Sequence, residues 1–261
     1  MTVLQSIFLG ALQGLTEFLP ISSSGHLVLA EHFLNIDFEG KSILGMNIIF
    51  HSGTLLALLI IYFKKWIQII ISPFLRNAQN KKLLALLILA SLPAGVVGIL
   101  YNEIISQRFS SVFSVSVSLL CTAIILWIAE YIGKRIPEKA STVNSALLMG
   151  VAQALALIPG LSRSGLTISA GRMMGVSRNN ALDFSFLMAC PVIAGATILT
   201  FMDISSENIM LPETGILLPG FISSFIVSLF AILFLRIFVK KYGLTLFSFY
   251  LSFIAVVLLF V

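Results

Sequence analysis

GALQGLTEFLPISSSGHL, residues 10–27, lies over GVAQALALIPGLSRSGLT, residues 150–167, without a gap when the sequence is shifted by 140 positions. Gly10, Gln13, Leu15, Ser22, Ser24 and Gly25 then fall on Gly150, Gln153, Leu155, Ser162, Ser164 and Gly165. Both stretches interrupt apolar sequence with proline, glycine, serine and a charge, Glu17 in the first and Arg163 in the second. In hydrocarbon, irregular backbone is tolerated only where it is buried in protein or lines a wet cavity. The pair therefore predicts two broken helix pairs, at 2–34 and 143–177, that enter a membrane and turn back.

The rest of the chain supports a membrane reading. Of its 261 residues 58% are hydrophobic and 10% charged, and the mean hydropathy is +1.05, outside the balance of soluble domains. Six further runs are long enough to span about 30 Å of hydrocarbon: 43–63, 83–101, 112–132, 183–202, 215–239 and 244–261. No soluble domain is left over, so 1–261 reads as one integral membrane domain. The N-terminal MTVLQSIFLGAL lacks the basic region and cleavage site of a signal peptide and is expected to belong to the mature fold. Cys121 and Cys190 lie in apolar runs without ligand-like spacing and read as small core residues.

The net charge of +5 is a topology signal, because Lys and Arg cluster between the runs. Lys64, Lys65, Arg76, Lys81 and Lys82 form one cluster, Lys134, Arg135 and Lys139 a second, and Arg236, Lys240 and Lys241 a third; all three are expected to be cytoplasmic. Segment 203–214 carries Asp203, Glu207 and Glu213 without a cation, and 102–110 has only Arg108 as a base, so both are expected outside, as is the C-terminus. No basic, aromatic-interleaved soluble surface exists, which excludes nucleic acid as a partner. Each copy of the repeat (about 1–135 and 141–261) is followed by three spanning runs. An odd number inverts the second copy relative to the first, an arrangement known from transporters whose broken helices meet near the midplane.

The fold class expected is thus an all-α polytopic membrane protein of two inverted-topology repeats, with six transmembrane helices and two re-entrant broken-helix pairs. The copies share a scaffold and differ in what they carry. Where the first has Glu17, Ser23 and His26, the second has Leu157, Arg163 and Leu166. One half supplies a carboxylate, a hydroxyl and an imidazole; the other supplies a cation. That division suits an anionic substrate. Ser22, Ser24 and Gly25, with Ser162, Ser164, Gly165 and Thr167, would offer hydroxyls and helix N-terminal N–H groups to a phosphate. Arg163 adds a planar fork able to take two phosphate oxygens. Glu17 suits a general base, or a ligand of a divalent metal on a diphosphate.

Each residue also has a structural reading. Serines and glycines in membrane helices often serve close packing alone. An uncompensated intramembrane charge costs about 2.5–3.5 kcal/mol, which weights Glu17 and Arg163 toward function. His32 reads as a solvated interfacial residue, His51 in FHSGTLL as a packed, hydrogen-bonded helix residue, and Asp183 as closing a helix start. Gln13 and Gln153, at matching places, suit bonds to broken backbone, and Gln13 is counted with the substrate-side groups as well.

At these residues the sequence resembles the bacterial undecaprenyl-diphosphate phosphatases of the bacitracin-resistance type. QGLTEFLPISSSGHL is similar to their first signature, Glu or Gln, three residues, then Glu; PGLSRSGLT (159–167) is similar to the second, PGxSRSxxT. The resemblance covers essentially the whole chain. It implies hydrolysis of the C55 isoprenyl diphosphate to its monophosphate in the bacterial inner membrane, recycling the carrier lipid of cell-wall synthesis. It also implies roles for Glu17, Ser23, His26 and Arg163 with Ser162 and Thr167 in support, a site facing outward, and dependence on a divalent metal such as Mg or Ca. The first motif position is Gln13 here, so metal binding cannot rest on a pair of glutamates.

Two routes stay open at this stage: attack by Ser23 with Glu17 or His26 as base, or attack by water activated by Glu17 with His26 as acid. The alternative class is a transporter or lipid flippase for an anionic lipid or solute, rocking about the same anion site. Oligomeric state is open, a homodimer included.

Overall fold

A chain that dissolves in lipid must satisfy its backbone within helices and turn its apolar side chains outward. The computed structural model does both, over residues 1–36, 41–75, 77–207 and 209–259. Arg76 of the first basic cluster lies outside the described residues.

The elements are α1 (Val3–Thr16), α2 (Ser23–Phe33), α3 (Lys41–Ile61), α4 (Phe63–Ile70), α5 (Ala78–Phe109), α6 (Val112–Gly133), α7 (Val143–Leu155), α8 (Arg163–Met173), α9 (Arg178–Glu207), α10 (Thr214–Tyr242) and α11 (Thr245–Leu259). Five of the six expected runs become helices long and apolar enough to cross a membrane: α3, α5, α6, α9 and α10. The sixth becomes α11, a shorter apolar helix of 15 residues within the described range. The protein is a polytopic membrane protein.

Two loops depart from expectation. Segment 102–110 is helical rather than a loop, since α5 continues through Phe109. Segment 64–82 begins as helix α4, where Lys64 is exposed, half-buried Lys65 donates to Asn80 and Ile69 is buried. In both places the residues carry helix-compatible side chains, and charge alone does not end a helix.

Burial runs inside out relative to a soluble protein. Ile99, Phe113, Phe230, Ile237 and Phe253 are largely exposed, while Ser6, Gln13, Thr54, Ser116, Thr122, Ser169, Ser185, Ser224 and Ser228 are buried. Without a hydrophobic force between helices in lipid, small residues and hydroxyls supply the contact. Gly10 shows how close the approach is: a Cβ there would sit 2.0 Å from the Gly220 carbonyl oxygen of α10. Gly150, its counterpart, meets the Ala90 oxygen of α5 at 2.6 Å in the same sense. Hydroxyls bridge this seam and others, Ser223 to the Ile7 carbonyl of α1 (2.9 Å), Ser224 to Phe50 of α3 (2.7 Å) and Ser248 to Ala123 of α6 (2.7 Å).

The two broken segments share their caps and part of their packing. Thr2 and Thr142 both close capping boxes at the starts of α1 and α7. Ser22 and Ser162 both cap the next helix by accepting from the N–H three residues on, Gly25 and Gly165. Packing of α1 on α10, and of α10 on α3, is matched by packing of α7 on α5 and of α5 on α9.

At the base of α8 a buried polar network joins three loops. Arg172 donates to the carbonyls of Val176 (2.9 Å) and Gly133 (2.7 Å), and Arg178 pairs with buried Glu130, which also accepts from Leu244 N–H. Asp183 does not close a helix start: it lies inside α9, accepts from Tyr62 Oη at 2.5 Å and faces Arg236 at 3.5 Å.

Candidate active site

Proline decides where each broken pair breaks. Pro20 cannot continue α1, and Phe18, Leu19 and Ile21 bury their side chains in the break. Phe18 sets its ring edge against Phe186 of α9, centroids 5.3 Å apart. Ser22 then restarts the helix from φ 71°, a region costing a non-glycine residue about 1–3 kcal/mol and concentrated at functional sites. In the second copy the strained position is Gly160, at φ 90°, where the lack of a side chain removes that cost. Ser162 has ordinary extended backbone. Among the described residues, strain on a side-chain-bearing residue is thus confined to the copy with the reactive groups.

The two breaks interlock. Ser24 Oγ accepts from Gly160 N–H at 3.4 Å, and Ser164 Oγ donates to the Leu19 carbonyl at 3.0 Å. Thr122 of α6 donates to the Gly160 carbonyl and accepts from Ser162 N–H. Gly25 faces Gly160 so closely that a Cβ would lie 3.1 Å from the Gly160 Cα. The hydroxyls of Ser22, Ser24, Ser162 and Ser164 therefore brace the turns and cap the helices. Thr167 Oγ1 donates to the Arg163 carbonyl (2.7 Å) and bonds Ser185 Oγ (2.7 Å). What these turns leave for an anion are the leading N–H groups of α2 and α8, which have no partner within their own helix.

Held between the breaks is Glu17, 7% exposed. Its Oε1 accepts from Arg163 Nη2 at 2.6 Å across 146 residues of sequence. Its Oε2 accepts from Ser23 Oγ at 2.7 Å and from Gln13 Nε2 at 3.0 Å. Gln13, one helical turn before Glu17, thus turns its amide to the carboxylate rather than to broken backbone. Its counterpart Gln153 is buried with neither amide atom partnered among the described residues, as follows from Leu157 standing where Glu17 would be. Arg163 Nη1 reaches the Ser185 carbonyl at 3.4 Å, leaving three of the five guanidinium N–H groups for an incoming anion.

Two neighbours were not expected. His51 of α3, read from sequence as a packed residue, sits with Nε2 3.4 Å from Glu17 Oε2 and donates from Nδ1 to the Asn47 carbonyl at 2.8 Å. Asn47 in turn donates to buried Glu31 of α2 at 2.8 Å. The signal was present: a histidine midway along a spanning run is a functional hypothesis by default. Tyr250 of α11 places its hydroxyl 2.8 Å from His26 Nε2, and nothing in sequence links positions 224 residues apart. His26 Nδ1 donates to the Ser22 carbonyl at 2.7 Å, so both ring nitrogens are engaged by groups other than the Ser23 hydroxyl. His32 is exposed, as expected.

For a divalent metal, no group of three or more His, Cys, Asp or Glu occurs among the described residues. Gln13 Oε1 is a buried oxygen without a partner, on the side chain bonded to Glu17. Two protein oxygens, with substrate phosphates and water completing the shell, is how Mg²⁺ is commonly held. The residues fit a cation of that kind and not an all-protein cage.

Comparison with known proteins agrees with this geometry in kind. The family described as Bacitracin resistance protein BacA matches residues 6–257. An undecaprenyl-diphosphatase of Thermodesulfovibrio yellowstonii is 38% identical over 97% of this chain and 95% of its own. Undecaprenyl-diphosphatase 1 of Bacillus cereus is 38% identical over 98% and 97%, and the undecaprenyl-diphosphatase of Elusimicrobium minutum is 38% identical over 96% and 94%.

Proposed function

The chain belongs to the bacitracin resistance protein BacA family, and we propose on that footing that it hydrolyses undecaprenyl diphosphate to undecaprenyl phosphate and orthophosphate, recycling the carrier lipid for cell-wall synthesis and conferring bacitracin resistance. One observation carries the assignment of chemistry to residues: a serine hydroxyl bonded to a buried carboxylate that is itself paired with an arginine from the other copy.

In this reading Ser23 Oγ attacks the terminal phosphorus and its proton passes to Glu17 Oε2. The bond to the bridging oxygen breaks, undecaprenyl phosphate departs, and water then releases orthophosphate from the phosphoserine. Phosphoryl transfer asks mainly for positioning and charge stabilisation. The remaining donors of Arg163 and the leading N–H groups of α2 and α8 meet the charge that builds on the phosphoryl oxygens. His26, whose ring nitrogens are engaged by Ser22 and Tyr250 and not by Ser23, serves the lipid-side phosphate rather than the nucleophile. Glu17 and Gln13 Oε1 would hold a divalent cation carried in on the diphosphate, whose chemistry is to neutralise phosphate charge.

The proposal includes the arrangement in the membrane: inverted repeats in the cytoplasmic membrane, basic loops inside, the site opening outward. A cysteine at Glu207 is expected to react with an impermeant thiol reagent in intact cells and one at Lys139 is not; the reverse pattern would overturn the orientation. For the reaction, purified protein in detergent is expected to release orthophosphate from undecaprenyl diphosphate and to lose that activity with a chelator. A transporter or flippase, which needs two compartments, would release none.

A further inference from the structure

His26 is held at both ring nitrogens, and the holder of the second one belongs to neither signature motif. The Ser22 carbonyl can only accept, so Nδ1 at 2.7 Å carries a proton. That leaves Nε2 as the nitrogen that gains or loses a proton, and the Tyr250 hydroxyl occupies it at 2.8 Å. The rings lie nearly parallel, 10° apart with centroids at 5.8 Å. The position of Tyr250 is fixed from below: Ser248 Oγ bonds the Ala123 carbonyl of α6 at 2.7 Å, and Phe247 and Leu251 are buried on either side. The same α6 carries Thr122, which bonds Gly160 and Ser162 in the second break. One helix therefore sets the height of Tyr250 and of the arginine-bearing turn together.

We infer that Tyr250 is a positioning residue for His26, fixing the ring and its tautomer at the lipid-phosphate side of the site. A hydroxyl suits this task better than a carboxylate, because it both donates and accepts. It donates to Nε2 when the imidazole is neutral and accepts from Nε2–H when it is protonated, so neither state is locked in. A carboxylate in its place would favour the charged ring alone. Tyr250 is also 40% exposed, so an arriving phosphate oxygen can displace its hydroxyl from Nε2 without unpacking a core.

The inference rests on the phosphatase reading, and its test separates the two. Tyr250→Phe keeps the ring stack and removes only the hydroxyl. With purified protein in detergent and undecaprenyl diphosphate as substrate, kcat is expected to fall about tenfold, the scale of one lost hydrogen bond, while KM stays within about twofold. In a His26→Ala background the same change is expected to cost nothing further, because a positioning residue has nothing left to position. Unchanged turnover in Tyr250→Phe, or losses that multiply in the double variant, would overturn the inference. If wild-type protein releases no phosphate, it is the phosphatase reading that fails. A measurement on wild-type protein stands apart from any variant's folding. With ¹⁵N-labelled histidine, and His26 among the three histidines assigned by its absence from the alanine variant, neutral His26 is expected to carry its proton on Nδ1. A proton on Nε2 instead would contradict the assignment.

Discussion

Arg163→Ala is expected to lower the rate of phosphate release by about a thousandfold, the loss typical of removing one preorganised donor from a developing oxyanion. The same change strands Glu17, buried at 7% exposure and paired with Arg163 at 2.6 Å. Removing one partner of a buried pair costs about 3–5 kcal/mol, because the remaining charge stays uncompensated. Loss of activity in this variant therefore mixes catalysis with stability. The double variant Glu17→Gln/Arg163→Ala separates them: neutralising the stranded carboxylate is expected to restore most of the thermal stability in detergent while activity stays absent. A double variant no more stable than Arg163→Ala alone would contradict the buried-pair account, and near-normal turnover in Arg163→Ala would contradict a site shared between the copies.

Glu17→Gln alone probes the chemistry, with thermal stability in detergent measured beside it because the change takes the carboxylate from Arg163. The amide is isosteric, and its oxygen can still accept from Ser23, but it cannot take up the proton that Ser23 loses. A fall in kcat of about 10²- to 10⁴-fold is expected, the range of a lost general base. KM is expected to rise as well, since the amide is a weaker ligand for the cation carried in on the diphosphate, but by much less than kcat falls. Steady-state kinetics distinguish this from a binding defect, which would raise KM with little change in kcat. Retained turnover would reassign Glu17 to structure.

Much of this architecture was legible in the chain because lipid imposes simple rules. Apolar length located five spanning helices and α11, and the 140-residue shift placed both breaks, their caps and the meeting of Glu17 with Arg163. The parts not legible have physical reasons. The apolar span of α5 ends at Tyr101 as its sequence indicates, while the helix runs on to Phe109, because polarity there ends the apolar run and not the hydrogen-bonded helix. Ser22, Ser24 and Ser164 stand at helix starts where hydroxyls suit an anion; in the fold Ser22 also caps α2, and Ser24 and Ser164 also brace one break against the other, bonds that sequence position alone does not show. His51 reads as a packed helix residue because nothing near it in sequence is charged, while in space it lies against the Glu17 carboxylate. Tyr250 gave no signal, since its only distinction is the residue it faces on α2.

The central claim is that one carboxylate–serine pair, clamped by an arginine from the other copy, cleaves a lipid diphosphate. Its most direct test is the initial rate of orthophosphate release from undecaprenyl diphosphate in detergent, measured for wild-type and Glu17→Gln protein purified side by side. The account predicts release by the wild type and loss of at least about a hundredfold in the variant. Equal rates in the two, or no release by either, would contradict it.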